Sequence, residues 1–484
     1  MEALSERWTD TRIALAAAAA ALCLYLATGS SVPDSHDTTA NAQVPVSLLH
    51  DGDFAVSPRE APLLFLWRLD SQVLTVQSWQ HPASGSGVTF GALYERGRLE
   101  FAGPRYFMLS TQRRGPDGEP LFVGAFGPAT GLLALPAAAL LQLSGARIQL
   151  DAFAMFRAAN WTAALLVAGS VGLVFLAAAA LTTRLRAALI ALIYAAGSCV
   201  WTISAHALWQ QTGELFFLSL AGLCLIRGES AWIRGAAAGV ALSAAAACRP
   251  TAALVALAAL GCLWVQDRRA FGACLAGALP IMLAVLAYNA YYFGSPFDFG
   301  QLAAGRVIAQ AKTGSSELWQ TPLWTGAAGL LLSPSRGLFV YSPFFAAAPV
   351  GALRAWKHDG YVRLRFLTLA VPLLWLPAFL WFDWWGGWTY GYRPIVDSLP
   401  LLALLCVPAL DRIAGAPAWK AALAGAAAWS VLVQLLGVLL YAPAAWNARA
   451  AADIDRPEYR SRLWSVRDSQ IGFLIAKLIA PRAP

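Results

Sequence analysis

The stretch "SVPDSHDTTAN" sets three proton-handling side chains close together: Asp34, His36 and Asp37. It follows directly on an alanine-rich apolar run and leads to two further acids, Asp51 and Asp53. A carboxylate held at a membrane surface can accept the proton of a hydroxyl while that oxygen attacks a carbon centre. Asp37 precedes "ANAQVPVSLL", which reads as a helix, so a helix N-cap or a solvated loop acid is the competing account. Asp34 is the rival for the same role. His36, between the two, is either a metal ligand or a hydrogen-bond partner.

Cationic partners lie far along the chain. Arg249 stands in "ACRPT", Arg336 in "LLLSPSRGLFVYSP" and Arg393 in "DWWGGWTYGYRPIVD", each beside Pro or Gly and each against an apolar run. An arginine at the centre of a membrane helix costs roughly 2.5–3.5 kcal/mol on insertion scales. Near a helix end it can snorkel to water. A fixed guanidinium fork also suits phosphate, which it binds bidentately. Arg306 and Lys312, in "QLAAGRVIAQAKTG", add to the same field.

The stretch around Arg393 packs Trp384, Trp385, Trp388, Tyr390 and Tyr392 among Gly386, Gly387 and Gly391. Such aromatics form either an interfacial belt or a wall for a sugar ring or an isoprenoid head, which the glycines let the backbone approach. Asp383 and Asp397 flank it as secondary acids. His206, in "SAHALWQQTGE", has either a structural hydrogen bond or a ligand contact to offer.

The elements that position these residues are membrane helices. The chain has 484 residues, 58% of them hydrophobic and only 13% charged, against about 25% charged in soluble domains. Apolar runs reach the roughly 20 residues that cross a bilayer. Spans are expected at 13–31, 158–181, 187–205, 212–226, 233–248, 251–265, 271–292, 337–353, 366–382, 398–410 and 420–441, about eleven in all. The first is read as an uncleaved span, because "MEALSERWTDTR" is mixed in charge rather than basic. The net charge of +8 sits on short basic turns rather than in a nucleic-acid-binding domain, so no nucleic acid is expected as a partner.

Arg184 and Arg186, Arg227 and Arg234, Arg268 and Arg269, Arg354 to Arg365, and Arg412 with Lys420 fall on alternate turns. The positive-inside rule then puts the N-terminus in the cytoplasm and the long segments 32–157, 293–336 and 442–484 outside. Chemistry is expected on that side. In the first outer segment, "VTFGALYERGRLEF" and "RYFMLSTQRRGPDGEPLFVGAF" alternate and turn like a small β element, with Pro116-Asp117-Gly118 as the turn signal. "APLLFLWRL" and "TGLLALPAAALLQL" are too short to span and are expected as interfacial helices. The seven cysteines lie in or beside apolar runs and read as small apolar residues, not disulfides.

No Walker loop, dinucleotide fingerprint, HExxH or nucleophile elbow is present. The energy must therefore come from an activated donor.

Taken in order, "HDTTAN", "FGPATGLLALPAAAL", "SAHALWQQ", "RPTAAL", "NAYYFGSPFDFGQ", "LLLSPSRGLFVYSPFF" and "WWGGWTYGYRPIVDSLPLL" resemble the GT-C superfamily of membrane glycosyltransferases over most of the chain. The resemblance is closest to bacterial members related to protein O-mannosyltransferases and aminoarabinose transferases. It implies an α-helical polytopic fold with a small α/β element in the first outer loop, in a bacterial plasma membrane. It implies a polyprenyl phosphate sugar as donor and a glycan, lipid or protein hydroxyl as acceptor. Asp37, with Asp34 as alternative, takes the place of the catalytic base; the Asp-Glu pair of many relatives is not present. Arg393 is the first choice for the donor phosphate, with Arg249, Arg336, Arg306 and Lys312 behind it. Trp385, Trp388, Tyr390, Tyr392 and His206 would line the sugar and lipid. Some relatives use magnesium or manganese, but no metal site matches residue by residue. The competing class is a secondary transporter or lipid flippase, in which intramembrane charges form a path.

Overall fold

The alanine-rich run becomes helix α1, Glu2–Thr28, as expected of the best helix-forming residue. A computed structural model gives the fold over residues 2–29, 36–75, 88–104, 107–115, 118–227, 230–413 and 417–479. Asp37 lies within a turn of 3-10 helix, His36–Thr38, that leads directly into helix α2, Thr39–His50.

The first long segment then forms a small α/β unit. Strands β1 (Phe65–Leu69), β2 (Gln72–Thr75) and β3 (Glu100–Pro104) make an antiparallel sheet in the order β2-β1-β3. Strands β4 (Met108–Arg114) and β5 (Pro120–Gly124) pair as a hairpin. The hairpin closes at Gly115–Glu119, where the proline-glycine signal put a turn.

Two expectations for this unit change. "LLFLWRL" is mainly strand rather than interfacial helix: Phe65 and Trp67 face a core with Phe90 and Phe122, while Leu66 between them is half-buried and Arg68 after them is exposed. That alternation is a strand period. Conversely, Phe90–Glu95 is a helix capped by the Thr89 hydroxyl. "TGLLALPAAALLQL" does form short helices, and Leu140 and Leu143 are exposed on the second of them.

The rest is helical. The succession is α3 (Ala152–Ala179), α4 (Arg184–Ala196), α5 (Gln210–Arg227), α6 (Ala231–Cys248), α7 (Ala253–Gln266) and α8 (Arg268–Phe293). Then come α9 (Gly300–Thr313), α10 (Leu323–Leu332), α11 (Ala347–Lys357), α12 (Arg365–Leu380), α13 (Leu399–Ile413), α14 (Pro417–Leu440) and α15 (Gln470–Ile479).

Among the described residues, seven helices are long and apolar enough to cross a membrane: those at 7–28, 152–179, 231–248, 268–293, 359–380, 393–411 and 417–440. Three shorter apolar helices accompany them, at 250–266, 323–332 and 470–479. Several of the other expected spans are broken or polar. At 187–205, α4 stops at Ala196 and a π turn follows over Val200–Ser204. At 337–353, Pro343 divides a short helix from α11. Helix α5 carries Gln210, Gln211 and Glu214 in its first turns.

Small residues set the packing. Gly235 and Gly239 on α6 lie against the backbone carbonyls of Ala270 and Cys274 on α8, and an added Cβ would collide with both. Four-residue spacing of glycines is how membrane helices approach closely. The outer face of α8 leaves Leu275, Leu279 and Leu283 exposed, as a lipid-facing surface requires.

The short basic turns converge at one end of the bundle. Arg184 bonds Asp10 at 2.7 Å, Arg227 lies 3.7 Å from the same carboxylate, and Arg186 pairs with Asp411. The α/β unit, Arg249 and Arg393 lie at the other end, since α5 and α6 each run from one to the other.

Asp53 ties the α/β unit to α8. Its carboxylate accepts from Arg113 Nη1 at 3.0 Å, from Phe54 N at 2.6 Å and from the Tyr292 hydroxyl. Burial alone would raise this carboxyl, but the Tyr292, Arg113 and backbone hydrogen bonds outweigh it and hold it below the usual 3.8. A lowered carboxyl contributes stability above its unfolded value, and that contribution is lost as pH falls through the folded one. Thermal melts between pH 5 and pH 3 should therefore fall more steeply in the wild type than in Asp53→Asn. Parallel curves would remove this contribution.

Candidate functional site

Asp37 and Arg393 meet although 356 positions separate them. Arg393 Nη1 donates to Asp37 Oδ2 at 3.1 Å, and Nη2 donates to the Gly386 carbonyl at 2.8 Å. The guanidinium lies over the Trp209 ring, 4.5 Å from its centroid, a cation–π placement. Arg393 Nε is buried and has no hydrogen-bond partner among the described residues. The Asp37 side chain keeps 27% of its surface, enough to receive a second reactant.

Local structure explains the meeting. Asn41, on the first turn of α2, donates Nδ2 to the Leu208 carbonyl at 2.8 Å in a fully buried position. That bond sets the start of α2, and hence Asp37, beside Trp209. The Thr212 hydroxyl bonds the carbonyls of Ser204 and Ala207, fixing the turn that presents Trp209. On the other side Gly386, at φ +74°, bends its loop so that its carbonyl reaches Arg393. A side chain there would be strained and would press on Pro394. Thr39 Oγ1 and Asn41 Oδ1, on the same turn of α2, are buried without partners among the described residues.

The other cations have different settings. Arg249 Nη1 pairs with Asp397 and lies 3.7 Å from Glu214, both acids being almost wholly buried. Asp397 is four residues beyond Arg393 on the same short 3-10 segment, Arg393–Ser398, so one segment carries a member of each cluster. Arg336 is fully buried and donates to the carbonyls of Ser335, Trp385 and Gly387 and to Asn447 Oδ1. It braces the aromatic loop from behind and presents no donor to a hollow. Lys312 bridges Asp383 at 2.6 Å and Asp455 at 2.9 Å. Burial alone would lower its ammonium, yet the two carboxylates outweigh that and hold it above the usual lysine range. Arg306 is exposed on α9, whose Ala304 shares a small core with Ala40 of α2, Ala125 and Phe126.

The aromatics divide. Tyr390 and Tyr392 are buried core residues: the first donates to the Val433 carbonyl at 2.6 Å, and the second shares a hydrogen bond with Ser342 at 2.7 Å. Trp385 is buried and donates to Asp455 at 3.0 Å. These three are anchors rather than a ligand wall. Trp388 is 38% exposed and donates to Asp453 at 2.8 Å. His206 is buried and lies 3.1 Å from the Thr28 hydroxyl, joining the end of α1 to the turn before α5. Burial pushes its imidazole down to about 4, so it is neutral at pH 7. Asp34 lies outside the described residues.

Sequence reasoning missed Trp209 and Glu214. A carboxylate inside an apolar run needs a cationic partner, and that was the available signal for Glu214. It also missed the depth at which the C-terminal segment is built in. Gln470 Oε1 accepts from Tyr341 and from Gly391 N, while its Nε2 donates to the Thr389 carbonyl. Together with Asn447, Asp453 and Asp455 it makes the tail part of the loop that holds Arg393.

Among the described residues no three His, Cys, Asp or Glu side chains converge as a metal site, and Asp37 faces a guanidinium. The described residues around it do not fit a divalent cation; Asp34 and the His36 side chain lie outside them. The fold and site define a polytopic helical membrane protein with a part-buried carboxylate–guanidinium pair at one end of the bundle. No family model matches the chain, and no curated protein matches it.

Proposed function

We propose that the chain is an inverting glycosyltransferase of GT-C type. It would move a sugar from a polyprenyl phosphate to an acceptor hydroxyl on the extracytoplasmic face. The observation that carries this reading is the Asp37–Arg393 pair at 3.1 Å on the Trp209 ring. The donor chain lies against the spans with its phosphate at Arg393. That phosphate competes with Asp37 for the guanidinium and meets the unused Nε. The acceptor oxygen attacks the anomeric carbon from the face opposite the phosphate, and its proton passes to Asp37. The new carbon–oxygen bond forms as the bond to the phosphate oxygen breaks. Polyprenyl phosphate leaves as an anion stabilised by Arg393. Opposite-face attack gives inversion at the anomeric carbon. Trp388, 38% exposed, and the C-terminal segment bound to it through Asp453 would contact the glycan, lipid or protein acceptor.

A secondary transporter or lipid flippase is the second reading. The buried Glu214–Arg249–Asp397 triad favours it, because charges inside a bundle can form a path. One assay separates the two. Purified protein in detergent, given labelled polyprenyl phosphate sugar and an acceptor extract, should release polyprenyl phosphate and label the acceptor. Transfer without two compartments cannot be transport. Absence of transfer, with substrate-driven uptake in vesicles, would establish the second reading instead.

A further inference from the structure

Two acids share one cation inside the bundle. Glu214, one turn into α5, and Asp397, on the 3-10 segment Arg393–Ser398, are both buried. Arg249, at the end of α6, is the cation between them. Its Nη1 donates a hydrogen bond to Asp397 Oδ2. The same nitrogen lies 3.7 Å from Glu214 Oε2, beyond hydrogen-bond reach. With both acids ionised, the triad would carry one uncompensated negative charge in a place that water does not reach. An unpaired charge so buried costs enough that the group takes up a proton instead.

The contacts show where that proton belongs. Neither Glu214 oxygen receives a donor among the described residues, and neither does Asp397 Oδ1. The two carboxyl groups nonetheless lie within hydrogen-bond reach of each other. Two ionised carboxylates are acceptors only and cannot make that bond. A proton on Glu214 makes it, and leaves Asp397 as the single carboxylate opposite Arg249. The direct bond from Arg249 marks Asp397 as the ionised member.

No other charge completes the balance. Asp397 and Arg249 are the charged groups that act on Glu214. The Cys248 thiol faces it from α6, and the Thr130 hydroxyl approaches α5 beside Gly213. Arg157 on α3 is exposed, and Asp411 on α13 pairs with Arg186 at the opposite end of the bundle. Arg393 is paired with Asp37.

We infer that Glu214 and Asp397 form a buried proton-binding site, in which one proton is held on Glu214 and donated to Asp397. The proton comes from water and neutralises one carboxylate, so that one acid and one guanidinium remain charged. Because one segment carries both Asp397 and Arg393, the bound proton also keeps a surplus negative charge away from the guanidinium that faces Asp37. The site holds under either reading of the chain's function and depends on neither.

Infrared spectra and melting of the purified full chain in detergent test this. At pH 7 the wild type should show the carbonyl band of a protonated carboxylic acid, and Glu214→Gln should lose it. Asp397→Asn should lose it as well, since Glu214 then becomes the counter-ion of Arg249. Melting separates the two acids. Glu214→Gln keeps a donor for Asp397 and should melt close to the wild type, whereas Asp397→Asn removes the carboxylate that bonds Arg249 and should melt well below it. From pH 5 to pH 8 the wild type's folding equilibrium constant should fall, relative to that of Glu214→Gln, by up to about tenfold per pH unit, as one proton bound only in the folded state requires. A protonated-acid band unchanged in Glu214→Gln overturns the inference. So do parallel pH curves, or a Glu214→Gln protein that melts as low as Asp397→Asn.

Discussion

Asp37→Asn should insert and melt close to the wild type yet lose about 10²–10⁴-fold of its transfer rate, the range for removing a general base. The substitution keeps shape and leaves an amide oxygen to accept from Arg393 Nη1, so the 3.1 Å contact survives in neutral form. It removes only the group that takes the acceptor proton. Arg393→Ala should also slow transfer, by a different route. It exposes the Gly386 carbonyl and the Trp209 face and takes away the phosphate ligand, so the donor concentration for half-maximal rate should rise. Asp34→Asn should transfer at close to the wild-type rate. Near-normal turnover in Asp37→Asn, measured with labelled donor, would remove Asp37 as the base. Asp34 would then take its place if Asp34→Asn proved the inactive variant.

What the sequence made legible, and what it hid, divides along range of interaction. The long helices were readable because an apolar run of about 20 residues has one low-energy answer in a bilayer. The β4–β5 hairpin was readable because its turn chemistry is local. Strand β1 was misjudged because a short apolar run suits a strand and an interfacial helix equally, and only Phe90 and Phe122 decide between them. The roles of the arginines were the least accessible. Arg249, Arg336 and Arg393 all sit beside Pro or Gly next to apolar runs, and nothing in their neighbours distinguishes them. What distinguishes them is what lies opposite: two buried acids for Arg249, carbonyls for Arg336, a part-exposed aspartate for Arg393. Each of those partners comes from a distant part of the chain or from the course of a loop. The aromatic stretch misled for a related reason. Tyr390 and Tyr392 are amphipathic enough for a ligand wall, but their hydroxyls find Val433 and Ser342 inside the core.

Arg336→Ala should destabilise the protein by at least ~3 kcal/mol, more than any substitution at the Asp37–Arg393 pair. The Arg336 side chain has no exposed surface and spends its donors on Ser335, Trp385, Gly387 and Asn447 at 2.8–3.1 Å. Truncation empties a fully buried site and leaves the Trp385 carbonyl without a donor among the described residues, while the Ser335 and Gly387 carbonyls and Asn447 Oδ1 each lose one bond and keep Tyr341, Thr389 N and Gln470. An unsatisfied buried group costs about 1–3 kcal/mol before relaxation. Lysine does not rescue this, because one ammonium cannot span a fork that reaches both Trp385 and Gly387. The loop between those residues is the one whose Gly386 carbonyl holds Arg393. Loss of the brace must therefore reach the site, but through unfolding rather than through phosphate binding. In detergent, Arg336→Ala and Arg336→Lys should both melt well below the wild type, and their remaining transfer should track the folded fraction. Arg393→Ala should show the reverse, with a melting temperature near normal and a raised donor requirement. A stable Arg336→Ala protein with a raised donor requirement would return Arg336 to the phosphate site and make the aromatic loop self-supporting.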